Sequence, residues 1–131
     1  MQQVGSDVTV MPTTADVRHD LRAILSENAT TCIRRSASRL IGAADSGPVR
    51  FVDVKVDRLT ADNRGTDGAF GFRAVITASV RGQRFPIVAD MLGFALDRFE
   101  VSVSAFAIGH PFPQTLERRL FRLLLRRAKN Q

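Results

Sequence analysis

From Val49 to Ile108 the chain alternates apolar and polar side chains with period two, and the alternation stops only at short clusters of turn-forming residues. A strand turns successive side chains to opposite faces, so the pattern fits half-buried strands and no helix. In Val49–Leu59, Val52, Val54 and Val56 oppose Asp53, Lys55 and Asp57. Phe70, Phe72, Ala74, Ile76, Ala78 and Val80 form the apolar side of a second strand, with Gly71, Arg73, Thr77 and Ser79 between them. Phe85–Phe94 is apolar on both sides apart from Asp90, and in Phe99–Ile108 the residues Val101, Val103, Ala105 and Ala107 oppose Glu100, Ser102 and Ser104.

The breaks decide how these strands join. Ala61–Gly68 is a turn-rich loop, Arg81-Gly82 leaves room only for a tight hairpin, and Ala95–Arg98 turns the third strand into the fourth. Glycine supplies the positive φ that tight hairpins demand. Connections this short join antiparallel neighbours, because a parallel pair needs a crossover of a dozen residues or more. The expectation is a four-stranded antiparallel meander. Pro86 has no N–H for a ladder, which places that part of the third strand at a bulge or a sheet edge.

Helical periodicity flanks the strands. Thr14 can cap a helix in which Val17, Leu21, Ile24 and Leu25 share a stripe. A second stripe holds Ala29, Cys32, Ile33, Ala37, Leu40 and Ile41, and Ser26-Glu27-Asn28 between them leaves open two helices or one kinked helix. Gly42–Pro48 reads as a loop. Pro113 suits the first turn of a last helix, with Leu116, Leu120, Phe121, Leu123, Leu124 and Leu125 on one half of its wheel. Residues 1–13 read as an extended segment ahead of a single α+β domain, 14–131. A meander with one polar face needs cover only on the other, so the N-terminal helices and the C-terminal helix are expected to pack on one face.

At 131 residues, 44% apolar and 24% charged, the chain can bury a core without a disulfide or metal staple. No apolar run approaches the roughly 20 residues of a membrane-spanning helix, and Met1-Gln2-Gln3-Val4-Gly5 does not open like a signal peptide. The lone Cys32 excludes an internal disulfide and a thiolate cluster; on an apolar stripe it reads as a small core hydrophobe.

Nearly all of the net charge of +6 lies in the last helix, where Arg118, Arg119, Arg122, Arg126, Arg127 and Lys129 face only Glu117. Arg118, Arg119, Arg122, Arg126 and Lys129 fall within an arc of about 100°. Such a stripe could meet an anionic partner, yet all bases of the chain but Lys55 and Lys129 are arginine, so codon usage accounts for part of it. With no Trp or Tyr to stack on bases and no recognition-helix, zinc-finger or RNP pattern, nucleic acid is disfavoured.

Other candidates have plainer readings. His19, flanked by Asp16 and Asp20, is a surface residue, and His110 before Pro111 is a turn residue. Asp62–Gly68 has oxygen ligands but lacks the closing Glu of a calcium loop. Asp90, among Ile87, Val88, Met91 and Leu92, is best explained as a buried acid tied to an arginine or to backbone donors. No phosphate loop, nucleophile elbow or carboxylate pair is present, so no catalytic, cofactor or metal residue is assigned.

Arg84–Phe94, then Arg98-Phe99-Glu100-Val101, then Pro111-Phe112-Pro113 with Leu116-Glu117-Arg118-Arg119-Leu120 resemble a group of uncharacterised actinobacterial cell-envelope domains over roughly residues 68–125. The likeness lies in turns and core positions, so it transfers no site residue. It implies export and a sensor-like or lipoprotein-like role in the envelope; without export the place would be the cytoplasm. The functional expectation is a non-enzymatic envelope or interaction domain whose helix–sheet junction or basic helix contacts an apolar or anionic partner. A homodimer through the open sheet edges is a further expectation. The alternatives are an anionic-surface or nucleic-acid binder using the arginine row, and, third, an enzyme built around Asp90 and His110.

Overall fold

The structure, a computed structural model, describes residues 1–44 and 47–131. Along the chain run β1 (Gln2–Val10), α1 (Thr14–Ile24), α2 (Ala29–Ala44), β2 (Val49–Arg58), β3 (Gly68–Val80), β4 (Gln83–Leu96), β5 (Phe99–Ile108) and α3 (Gln114–Lys129). Asp45 and Ser46, in the expected Gly42–Pro48 loop, lie outside the described residues, and α2 runs on through Gly42.

The sheet has five strands, not the four expected, in the order β1-β5-β4-β3-β2, every pair antiparallel. The added strand is the segment read as extended. Gln2–Val10 runs along β5 with Val4 opposite Ala105 and Val8 opposite Val101. Every residue of β1 is exposed, and Gly5, Ser6 and Asp7 are poor strand formers. Its conformation comes from the ladder that β5 offers, which is a long-range contact. The two outer edges differ in protection. β2 carries a bulge between Phe51 and Asp53 and the charges Asp53, Lys55 and Asp57, whereas β1 carries only Asp7 and no bulge.

The helices cover both faces of the sheet, which corrects the expectation of a single covered face. Leu92 and Phe94 of β4 and Val101 of β5 pack against Phe121 and Leu125 of α3. Ala95, the next residue of β4, packs with Phe70 against Val17 and Leu21 of α1. Adjacent strand residues point to opposite faces, so α1 and α2 lie on a front face and α3 on the back. An amphipathic stripe says only that a helix has a buried side, and β4 is apolar enough on both sides to accept a helix on each.

Local chemistry sets the joints. Thr13, one residue before the expected cap, holds the start of α1: its Oγ1 accepts from the Asp16 N–H at 3.1 Å. α1 and α2 are separate helices. Arg58 of β2 donates to the carbonyls of Ile24 and Ser26 at the break, and its guanidinium lies 5.0 Å from the Phe72 ring centroid. Arg81 and Gly82 have φ of 51° and 79°, the two positive values of a tight hairpin turn. Pro86 faces Thr77 of β3, but β5 ends opposite Ile87, one residue short of it. Its carbonyl accepts from the Gly109 N–H, so its missing donor points past the end of β5 and no ladder bond is lost.

On the back face Phe94 is 1% exposed and meets Phe121 edge-on at 5.3 Å. Burying one such ring contributes about 1.5–3 kcal/mol. On the front, Gly93 leaves room for the Phe70 ring, whose atoms would lie 2.2–2.8 Å from a Cβ at that position. Glycine here lets an aromatic ring lie flat on the floor of the front face.

Candidate functional site

The front face is only partly covered. Among the described residues α2 has a single fully buried one, Ala29, and its main packing partner is β2, so the helix arches over the sheet rather than resting on it. The space beneath is a groove in two lobes of about 510 Å³ and 520 Å³ that meet at Ile33, Phe72 and Met91. Ile24, Ala29, Cys32 and Ile33 form the roof of the first lobe, and Phe70, Phe72 and Met91 form its floor. The second lobe continues over Ala74, Ala89, Val56 and Phe106. Each lobe is within the range of pockets that hold small organic molecules.

One wall of the first lobe is polar. Asp7 and Thr9 of β1 and Glu100 and Ser102 of β5 stand there as cross-strand partners, Asp7 opposite Ser102 and Thr9 opposite Glu100. Desolvation, and then Asp20 of α1 beside it, push the Glu100 carboxyl above its ordinary pKa. Glu100 Oε1 is buried without a hydrogen-bond partner. Cys32, expected in the core, is exposed in this roof, because α2 stands away from the sheet at that point.

A second cluster lies on the back face under α3. Asp90 is 3% exposed and held by Arg73 through two bonds, Nε to Oδ1 at 2.7 Å and Nη2 to Oδ2 at 2.6 Å. That is the arginine-tied acid expected from the sequence, with the donor on the neighbouring strand directly opposite. Glu117 of α3 is 2% exposed, and its Oε1 has no partner. Burial, then the hydrogen bond to and charge of Asp90, raise its pKa to about 8 against the pull of Arg73 and Arg118. The sequence held a signal for it: Glu117, Phe121, Leu124, Leu125 and Ala128 follow one helical stripe, and only the first is polar.

The arginine row is exposed as expected. Among the described residues Arg118, Arg119, Arg122, Arg126 and Lys129 form no ion pair. Arg118 and Arg122 line a depression of about 620 Å³ with Thr60–Arg64, floored by Leu92 and Phe121. Lys129 packs its ammonium on Gly65 of the same loop. The depression is not uniformly basic: Asp62 lies in it, paired with Arg64 at 2.8 Å and held down to about 2 by that arginine.

Asp90 and His110 are not brought together. The Asp90 side chain is sealed under α3, and His110 is exposed five residues beyond Ala105, the partner of Asp90, or about 16 Å along an extended strand. His19 is exposed on α1. Among the described residues no group of His, Cys, Asp and Glu is placed to hold a metal ion. Also among them, no helix is long and apolar enough to cross a membrane.

No protein-family model, no curated protein and no solved structure matches this chain. The resemblance to envelope domains therefore stays an expectation, and the functional reading rests on geometry.

Proposed function

We propose that the chain is a binding domain that holds a small, largely apolar molecule in the groove between the α1–α2 arch and the sheet. The observation that carries this is the floor of Phe70, Met91, Ala89 and Phe106, which the arch above leaves only half-buried. A sheet face this apolar is normally filled by its covering helix, and the site is concave with a few polar groups on one wall, as ligand sites are. If the chain is exported, as the envelope resemblance implies, the ligand is one met outside the cytoplasm.

A neutral solvatochromic dye such as N-phenyl-1-naphthylamine tests this reading. The dye is expected to brighten on binding, and Ala89→Phe, which grows into the floor of the second lobe, is expected to weaken binding about tenfold or more. Unchanged dye affinity in a variant that still unfolds cooperatively would remove the groove as the site.

A second reading is favoured by the unpaired row on α3. Arg118, Arg119, Arg122, Arg126 and Lys129 present a fixed basic surface, since the opposite side of α3 is pinned to the sheet by Phe121 and Leu125. Contact with an anionic surface through this row predicts an affinity for anionic vesicles that falls steeply with added salt and is lost when Arg118, Arg122 and Arg126 are changed together to Gln. Co-sedimentation across a salt series measures both, and binding that survives the triple change sinks this reading.

A further inference from the structure

We infer that the groove is built for an apolar molecule carrying a positive charge, whose cationic group sits between Asp7 and Glu100 while its apolar body lies on Phe70, Phe72 and Met91. The inference rests on the binding reading above and adds the chemical class of ligand. It starts from the distribution of charge around the cavity. The residues lining the first lobe include two carboxylates, Asp7 and Glu100, and no Lys, Arg or His. This stands out in a chain of net charge +6.

Arg58, which reaches the Phe72 ring of the floor, is already committed to that ring and to the carbonyls of Ile24 and Ser26. Asp20 of α1, outside the lining of the lobe, lies within hydrogen-bonding reach of Glu100 and adds negative charge beside it. Among the described residues none of these three carboxylates is in an ion pair.

The register gives the acids a usable spacing. Asp7 pairs with Ser102 and Thr9 with Glu100, so Asp7 and Glu100 are diagonal neighbours on one face, about 7–8 Å apart across the ladder. A single ammonium or guanidinium group between them can reach both. Glu100 Oε1 is the orphan that such a group would satisfy: a buried acceptor with no donor from the protein. The hydroxyl oxygens of Ser102 and Thr9 beside it can accept from the same head group. The opposite charge would also relieve the repulsion between Glu100 and Asp20, the two acids that burial and proximity now set against each other. An apolar floor next to an acidic wall therefore selects by sign as well as by size.

The test uses the whole chain and three probes with the same tail and different heads: decylammonium, decanol and decanoate, each below its micelle concentration, competing with the neutral naphthylamine dye. The cation is expected to displace the dye at a concentration about tenfold or more below that of the alcohol, with decanoate weakest. In the double variant Asp7→Asn, Glu100→Gln the alcohol is expected to bind as before and the advantage of the cation to vanish. Because both positions are on the wall and outside the packed clusters, the double variant should unfold as the parent does. Alkylation of Cys32, which stands in the roof of the same lobe, gives an independent readout: the cation is expected to slow it in the parent and not in the double variant. Equal displacement by all three probes, or a cation preference that persists in the double variant, overturns the inference and leaves the groove reading standing. Dye that never binds overturns both.

Discussion

Replacing Arg73 by Met is expected to destabilise the fold by about 3–5 kcal/mol, the cost of stranding a buried carboxylate by removing its partner. Asp90 has only 2% of its side chain exposed, and both of its oxygens are bonded to that one guanidinium. With Arg73 gone, Asp90 and Glu117 would share a dry site with no bonded counter-charge, Arg118 acting on Glu117 only through its field. For a domain whose total stability is of order 5–15 kcal/mol this is a large fraction, and it should lower the urea midpoint by roughly 2 M. The companion change separates loss of the pair from loss of packing. Arg73→Met combined with Asp90→Leu removes both charges and is expected to recover most of the loss, since a buried ion pair replaced as a unit by apolar residues is often neutral. A loss below about 1 kcal/mol in the single variant would show that the pair is solvated and does not support the core.

The second large effect is a dependence of stability on pH that resides in one residue. The folded pKa of Glu117 is raised from 4.5 to about 8, so over that window the folded chain holds a proton that the unfolded chain releases. Stability contributed at this site is complete at the acid end and falls as pH rises, by up to about 1.4 kcal/mol per pH unit. Glu117→Gln keeps the shape and cannot ionise. It is expected to flatten the profile and to be more stable than the parent at the alkaline end, by a few kcal/mol. Urea unfolding at the two ends of the window measures both. A parent profile that rises with pH there, or a Gln variant with the parent's slope, would place the titrating group elsewhere.

Glu117 connects that profile to the surface of α3. It is the acid set into the buried stripe of the helix whose other side carries the arginine row, and Arg118 next to it lowers its pKa while Asp90 raises it. The seating of α3 on β4 and β5 thus depends on a proton as well as on Phe121 and Leu125. The front groove lies on the opposite face, and of these residues only Asp90 borders it, with its carboxylate held away by Arg73, so the expected effects of Arg73→Met and Glu117→Gln are on stability and not on which probe the groove prefers.

Much of the fold could be read from the chain because its signals are local. The bounds of β5, Phe99–Ile108, coincide with the alternation of Val101, Val103, Ala105 and Ala107, and Arg81-Gly82 could only be a tight turn. An acid among Ile87, Val88, Met91 and Leu92 needs a partner, and Arg73 supplies it. β1 was not legible, since Gly5, Ser6 and Asp7 do not favour a strand and its Val4, Val8 and Val10 remain exposed in the folded chain. Cys32 was misplaced for the same kind of reason: its stripe is helical, but α2 has little beneath it to bury the stripe against.

The sequence by itself determined the periodicities, and with them the meander from β2 to β5, the helical stretches before and after it and the basic side of α3, because each depends on residues a few positions apart. Only the tertiary structure decided which face each helix covers and that the N-terminal segment completes the sheet. Nor could the sequence show that the arch of α1 and α2 leaves Met91 and Phe106 half-buried, with Asp7 and Glu100 on the wall of a cavity. Those are outcomes of contacts between segments as much as a hundred residues apart, such as Gln2 with Ala107. A helical stripe or a run of alternating residues fixes that a side is buried. What buries it, and how completely, is settled only when the competing faces of one sheet are filled together.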